Sequence, residues 1–137
     1  MSEEGHGSVL VVDDEPQVAW VLRFSLEHEG YRTYTASNGI EALEELEKHH
    51  PGLMVLDLMM PEMDGFEFIS HLRGNDAWQA IPVVVLTAKD ITAEDHLRLQ
   101  GNVRKVFLKA SFSRDELAEE IRAAIETRSG SVESRAS

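Results

Sequence analysis

Five polar residues carry the chemistry of this chain: Asp13, Asp14, Asp57, Thr87 and Lys109. Asp57 is the odd member of "LMVLDLMMPEMDGF" (53–66), a charge in a run otherwise suited to an interior. An ionised carboxylate is costly to bury without a partner. Asp13 and Asp14 follow the apolar run "SVLVV", Thr87 follows "PVVVL", and Lys109 closes "KVFLK". Carboxylates crowded together raise each other's pKa or demand a cation. Three acids with no Cys or His among them are hard oxygen ligands of the kind that suits Mg²⁺. A carboxylate is also a nucleophile towards phosphorus, giving an acyl phosphate, and that reaction needs charge neutralisation more than a proton-transfer residue. The cation, Lys109 and the Thr87 hydroxyl would supply it, and Asp57 at the centre is best placed to accept the phosphoryl group.

Positioning these residues requires the elements they terminate. The runs at 8–12, 53–56 and 82–86 are apolar, the first and last rich in β-branched residues, and each is followed by a polar residue, as in parallel strands covered on both faces. "YRTYTA" (31–36) and "KVFLK" (105–109) read as outer strands. Between the strands the period becomes helical. One stripe carries Val18, Val21, Leu22, Ser25 and Leu26, another Ile40, Leu43 and Leu46, a third Phe66, Ile69 and Leu72, and a last one Leu117, Ile121, Ala124 and Ile125. The helix over 91–100 is the least apolar. Gly30 stops the first helix, Ser37 or Asn38 caps the second, and Ser113 with Glu116 makes a capping box for the last. Five strand–helix alternations predict an α/β fold, a doubly wound five-stranded parallel sheet with right-handed crossovers. In such sheets ligands bind outside the carboxyl ends of the strands, where all five polar residues fall. In the order 2-1-3-4-5 the first and third strands are neighbours, and Asp13, Asp14 and Asp57 crowd together.

The 137 residues fit one domain, expected at 8–128, with disordered segments at 1–7 and 129–137. No apolar run approaches the ~20 residues that span a bilayer. The opening "MSEEGHGS" has neither a positive start nor an apolar stretch, so no signal peptide is expected, and with zero Cys a cytoplasmic location is. A net charge of −12 repels phosphate backbones and anionic lipid, so the expected partners are proteins or cations rather than nucleic acid or membrane.

Each residue also has a plainer role. Asp13 and Asp14 can cap the helix that begins near Pro16, Thr87 can be an ordinary strand end, and Lys109 a solvated edge charge. The six His show no metal-ligand spacing, and Trp20 and Trp78 read as packing residues. The conjunction at one end of one sheet outweighs these readings taken singly.

At these residues the chain resembles a response-regulator receiver domain of two-component signalling, through "VLVVDDEP", "MVLDLMMPEMDGFEF", "IPVVVLTAKD" and a late "FLK". The resemblance implies the flavodoxin-like (βα)5 fold, order 2-1-3-4-5. It implies Asp57 as phosphoacceptor; Mg²⁺ held by Asp13, Asp14, Asp57 and the Met59 backbone carbonyl; Thr87 as the switching hydroxyl; and Lys109 as the phosphate-binding cation. The implied phosphoryl donor is a sensor histidine kinase or phosphotransfer protein, the implied output a downstream protein target, and the implied role signalling rather than enzymatic. Two positions depart from the family pattern. Val106 stands where an aromatic switch residue is usual, and Lys109 is followed by Ala110 rather than Pro, an ending similar to receivers of hybrid sensor kinases. The competing reading is a Mg²⁺-dependent phosphohydrolase with an aspartyl nucleophile. "DLMMP" lacks the second acid two residues on that such an enzyme uses, and no insertion provides a lid.

Overall fold

The computed structural model describes residues 7–136, with side chains to residue 126. Of the termini expected to be disordered, 1–6 and 137 lie outside the described residues. Five strands, β1 (Ser8–Val12), β2 (Arg32–Ala36), β3 (Leu53–Leu56), β4 (Val83–Thr87) and β5 (Lys105–Leu108), alternate with five helices. These are α1 (Pro16–His28), α2 (Gly39–Lys48), α3 (Gly65–Arg73), α4 (Ala93–Leu99) and α5 (Arg114–Ala136), the backbone of α5 continuing into the stretch assigned above to the tail. The strands form one parallel sheet in the order β2-β1-β3-β4-β5. The expected doubly wound architecture and the edge positions of β2 and β5 are therefore present.

Strand alternation sends side chains to two cores. Leu10, Val12, Met54, Leu56, Val83 and Val85 face α2, α3 and the end of α4, where they meet Leu46, Phe68, Leu72 and Leu99. Val9, Val11, Leu53, Val55, Val84 and Leu86 face α1 and α5, against Leu22, Leu26, Leu117 and Ile121. With both faces covered, only the strand ends remain open to chemistry.

Helix starts follow local rules. The Asn38 side chain accepts the Glu41 N–H at 2.8 Å, Asp64 accepts that of Glu67 at 2.9 Å, and Thr92 with Asp95 forms a capping box on the seven-residue α4. The expected box at Ser113 shows the Glu116 N–H to Ser113 Oγ bond at 3.2 Å. Gly30 closes α1 at φ 99°, the left-handed region glycine tolerates. Trp78 packs against a core as expected, but Trp20 does not. It is 65% exposed and stacks on Phe24, itself 62% exposed, because α1 buries the stripe through Leu22 and Leu26 and turns residues 20, 21 and 24 outward.

Gly65 illustrates how tightly the backbone near Asp57 is packed. A Cβ there would lie 2.6 Å from Leu58 Cα and 2.8 Å from the Asp57 carbonyl oxygen, neither of which can move aside cheaply. Gly65→Ala is expected to destabilise the protein by about 1–3 kcal/mol in urea unfolding. Gly39→Ala, whose Cβ meets the flexible Met63 side chain, should cost less. Equal losses would contradict this account of the turn.

Candidate functional site

Asp13, Asp57 and Lys109 each lie one step beyond a strand, Asp14 follows Asp13, Thr87 is the last residue of β4, and the three residues past the strand ends stay tied to the ladder. Asp13 N–H donates to Ala36 O at 3.0 Å, Asp57 N–H to Val12 O at 3.0 Å, and Lys109 N–H to Thr87 O at 2.8 Å. Their backbones are thus as fixed as the sheet, and their side chains converge on its carboxyl edge. Asp13 and Asp57 are buried, Asp14 is exposed, and one carboxylate oxygen from each lies within 4.8 Å of the others.

Each Asp57 oxygen has named partners. Oδ1 accepts the Thr87 hydroxyl at 2.9 Å and the Met59 N–H at 3.1 Å. Oδ2 accepts the Lys109 ammonium at 3.1 Å. The same ammonium lies 2.9 Å from Asp13 Oδ2 and bonds the Glu15 carboxylate. Asp13 Oδ1 also accepts the Glu15 N–H at 2.9 Å. The cost of burying Asp57 is therefore offset by hydrogen bonds and an ion pair.

Electrostatics follow from the crowding. Burial pushes the Asp13 carboxyl above the usual aspartate range, the Glu15 N–H and Lys109 ammonium offset only part of this, and the charge of Asp57 adds to it. Burial alone would lower Lys109. Its hydrogen bonds to Glu15, Asp13 and Asp57 outweigh that and hold it well above the usual lysine range.

The three aspartates suit a hard divalent cation, since they offer only oxygen and converge with one exposed member. Asp13 and Asp14 also line a cleft of about 250 Å³ with Pro16, Trp20 and Arg23, which leaves the cluster accessible from outside. Met59 presents its N–H to Asp57, and the residue is 53% exposed. Val106 is half-buried, paired in register with Val85, and packs on the core beneath α3 and α4. No cis peptide bond occurs among the described residues, so the Lys109–Ala110 bond is trans.

Two features were not anticipated. Glu15 reaches Lys109, and its only sequence signal is adjacency to the Asp pair. Lys89 donates its N–H to Thr87 Oγ1 at 3.2 Å and its ammonium to Asp95 Oδ2 at 2.7 Å, joining the loop after β4 to the first turn of α4. The Lys89 ammonium, with the Thr92 N–H, holds the Asp95 carboxyl below its usual range. The T-x-x-D spacing of Thr92 and Asp95 was the available clue.

Lys109→Met would leave Asp13 and Asp57 buried side by side without their cation. Fully buried pairs lose 3–5 kcal/mol on such a change, and partial access of water here reduces the expected cost at pH 7 to about 2–3 kcal/mol. Protonating Asp13 removes the repulsion. Because the Asp13 pKa is raised, the penalty should fade as pH falls through a range beginning above the ordinary value of 3.8. Urea unfolding at pH 7 and pH 4 checks this, and an equal penalty at both would contradict it.

The sequence matches the family described as response regulator receiver domain over residues 9–126. It is 36% identical over 125 residues to the transcriptional regulatory protein KdpE of Mycobacterium tuberculosis, a match covering 91% of this chain and 54% of the relative. The chain thus spans about half the length of such curated relatives. Among solved structures it is similar to the signal receiver domain of a signal transduction histidine kinase from Syntrophus aciditrophicus. That match has 32% identity and a TM-score of 0.80, covering 88% of this chain and 91% of the other. It is also similar to the response regulator TrrA of Thermotoga maritima, solved in complex with Mg²⁺-BeF, at 33% identity and a TM-score of 0.75, covering 85% and 97%.

Proposed function

The chain belongs to the response-regulator receiver family, and from that premise we propose that Asp57 takes a phosphoryl group from a sensor histidine kinase or phosphotransfer protein and so changes affinity for a protein target. One observation carries the assignment. Among the three clustered aspartates, Asp57 is the one whose carboxylate meets both the Thr87 hydroxyl and the Lys109 ammonium.

In the transfer, an Asp57 oxygen attacks phosphorus and an O–P bond forms as the P–N bond to the donor imidazole breaks. The P–N electron pair stays with the departing ring nitrogen, so no protein residue needs to deliver a proton when the other ring nitrogen already carries one. Asp13, Asp14, Asp57 and the Met59 carbonyl are the proposed holders of Mg²⁺, which when bound supplies positive charge to the phosphoryl oxygens. Lys109 neutralises one side of the developing charge, and the Thr87 hydroxyl donates to a phosphoryl oxygen. That second contact draws on the loop 88–92, which Lys89 ties to α4. Val106 has few rotamers and little volume, so the conformational signal runs through this loop and α4 rather than through a moving aromatic ring.

The role is signalling rather than turnover of a small substrate. Among the described residues no helix is long and apolar enough to cross a membrane, and with a net charge of −12 a cytoplasmic protein partner fits better than direct contact with nucleic acid or lipid. The phosphohydrolase reading keeps no support at the site, since the residue two after Asp57 is Met59.

Mass spectrometry after incubation with acetyl phosphate and Mg²⁺ tests the proposal. One phosphoryl group on Asp57 is expected, none in Asp57→Asn, and little when the metal is chelated. Asp14→Ala should weaken Mg²⁺ binding about tenfold or more. Label persisting in Asp57→Asn would contradict the assignment.

A further inference from the structure

We infer that Glu15 is a positioning residue for phosphoryl transfer: its carboxylate keeps the Lys109 ammonium on station while the other two acids that hold it turn to new partners. This rests on the reading of Asp57 as phosphoacceptor.

An ammonium has three N–H donors, and those of Lys109 face three carboxylates, Asp13, Glu15 and Asp57. Two of these are committed elsewhere during the reaction. Asp57 becomes an acyl phosphate and gives up much of its charge, and Asp13 belongs to the cluster with Asp14 and Asp57 that suits a cation. Glu15 is outside that cluster and is not the nucleophile. It alone keeps its contact throughout.

The fold leaves Glu15 free for this task. It stands at the N-cap of α1, yet its side chain makes no capping bond to the helix. Glutamate is not among the favoured caps, and Pro16 in the first turn removes one N–H that would otherwise need an acceptor. The Glu15 N–H itself goes to Asp13. Lys109 needs such a tether because the strand fixes only its backbone, through the bond to Thr87 O, while the ammonium rides on a flexible four-carbon stem. The Glu15 side chain is 57% exposed, so its charge is largely solvated and repels an incoming phosphoryl group weakly. Its contribution is geometric.

The test is the initial rate of Asp57 phosphorylation by acetyl phosphate at saturating Mg²⁺ in the wild type, Glu15→Ala and Glu15→Gln. Glu15→Ala should lower the maximal rate about fivefold with little change in half-saturating acetyl phosphate, the scale of one half-exposed charge-assisted contact. Glu15→Gln keeps an oxygen that accepts from Lys109, so its rate should recover to within about twofold of wild type. Trp20 lines the cleft beside Asp13 and Asp14, and its fluorescence should report Mg²⁺ affinity little changed in both variants. If both variants matched the wild-type rate, or both rose together, Glu15 would act as a bystander or a repelling charge and the inference would fall. A loss of Mg²⁺ affinity in Glu15→Ala as large as that in Asp14→Ala would instead make it a ligand, which also overturns the inference. Absence of label on the wild type would sink the phosphoacceptor reading and this inference with it.

Discussion

The ion pair between Lys109 and the buried carboxylates of Asp13 and Asp57 is the interaction on which the rest of the site depends. Two acids at 4% and 3% exposure would repel each other strongly without a cation between them. The lysine lies far along the chain from Asp13, just past the edge strand β5, so the balance exists only once the whole sheet has formed. Folding and site assembly are in this sense the same event. It also follows that the site is tuned by charge number, and that anything altering it, whether a divalent cation, a phosphoryl group or a proton, redistributes the contacts of Lys109.

The second dependency is mechanical. Both sheet faces are sealed by apolar packing, so the carboxyl edge is the part of the sheet free to change. From Asp57 the contacts run through the Thr87 hydroxyl, the Lys89 N–H and ammonium, and Asp95, to the N–H of Thr92 at the cap of α4. A seven-residue helix has little stability of its own and leans on its cap and its few buried residues. That places the most easily shifted element at the end of the chain of contacts that begins at Asp57.

Much of this was legible in the sequence because the informative residues sit at strand ends. Apolar runs that stop at Asp13, Asp57 and Thr87 declare both the strand and the edge on which the polar residue emerges, and the helical periods between them fix the alternation. The contacts of Glu15 and Lys89 were not legible. They depend on where a long flexible side chain points after folding, and neither residue terminates an apolar run. Trp20 was misjudged for a different reason. Composition makes Trp a packing residue, but the stripe through Leu22 and Leu26 that α1 buries does not include position 20, so Trp20 lies outside with Phe24. Ile40 is similar, 48% exposed at the first turn of α2 although it continues the apolar spacing of Leu43 and Leu46.

The most direct measurement of the central claim is a crystal structure of the protein with Mg²⁺ and beryllofluoride, which together mimic the phosphoryl state. The account predicts beryllium bonded to an Asp57 carboxylate oxygen, with Lys109 Nζ and Thr87 Oγ1 each within hydrogen-bond distance of a fluorine and the metal on the side of Asp13 and Asp14. Beryllofluoride on another residue, or a Lys109 side chain turned out to solvent with the adduct in place, would contradict it.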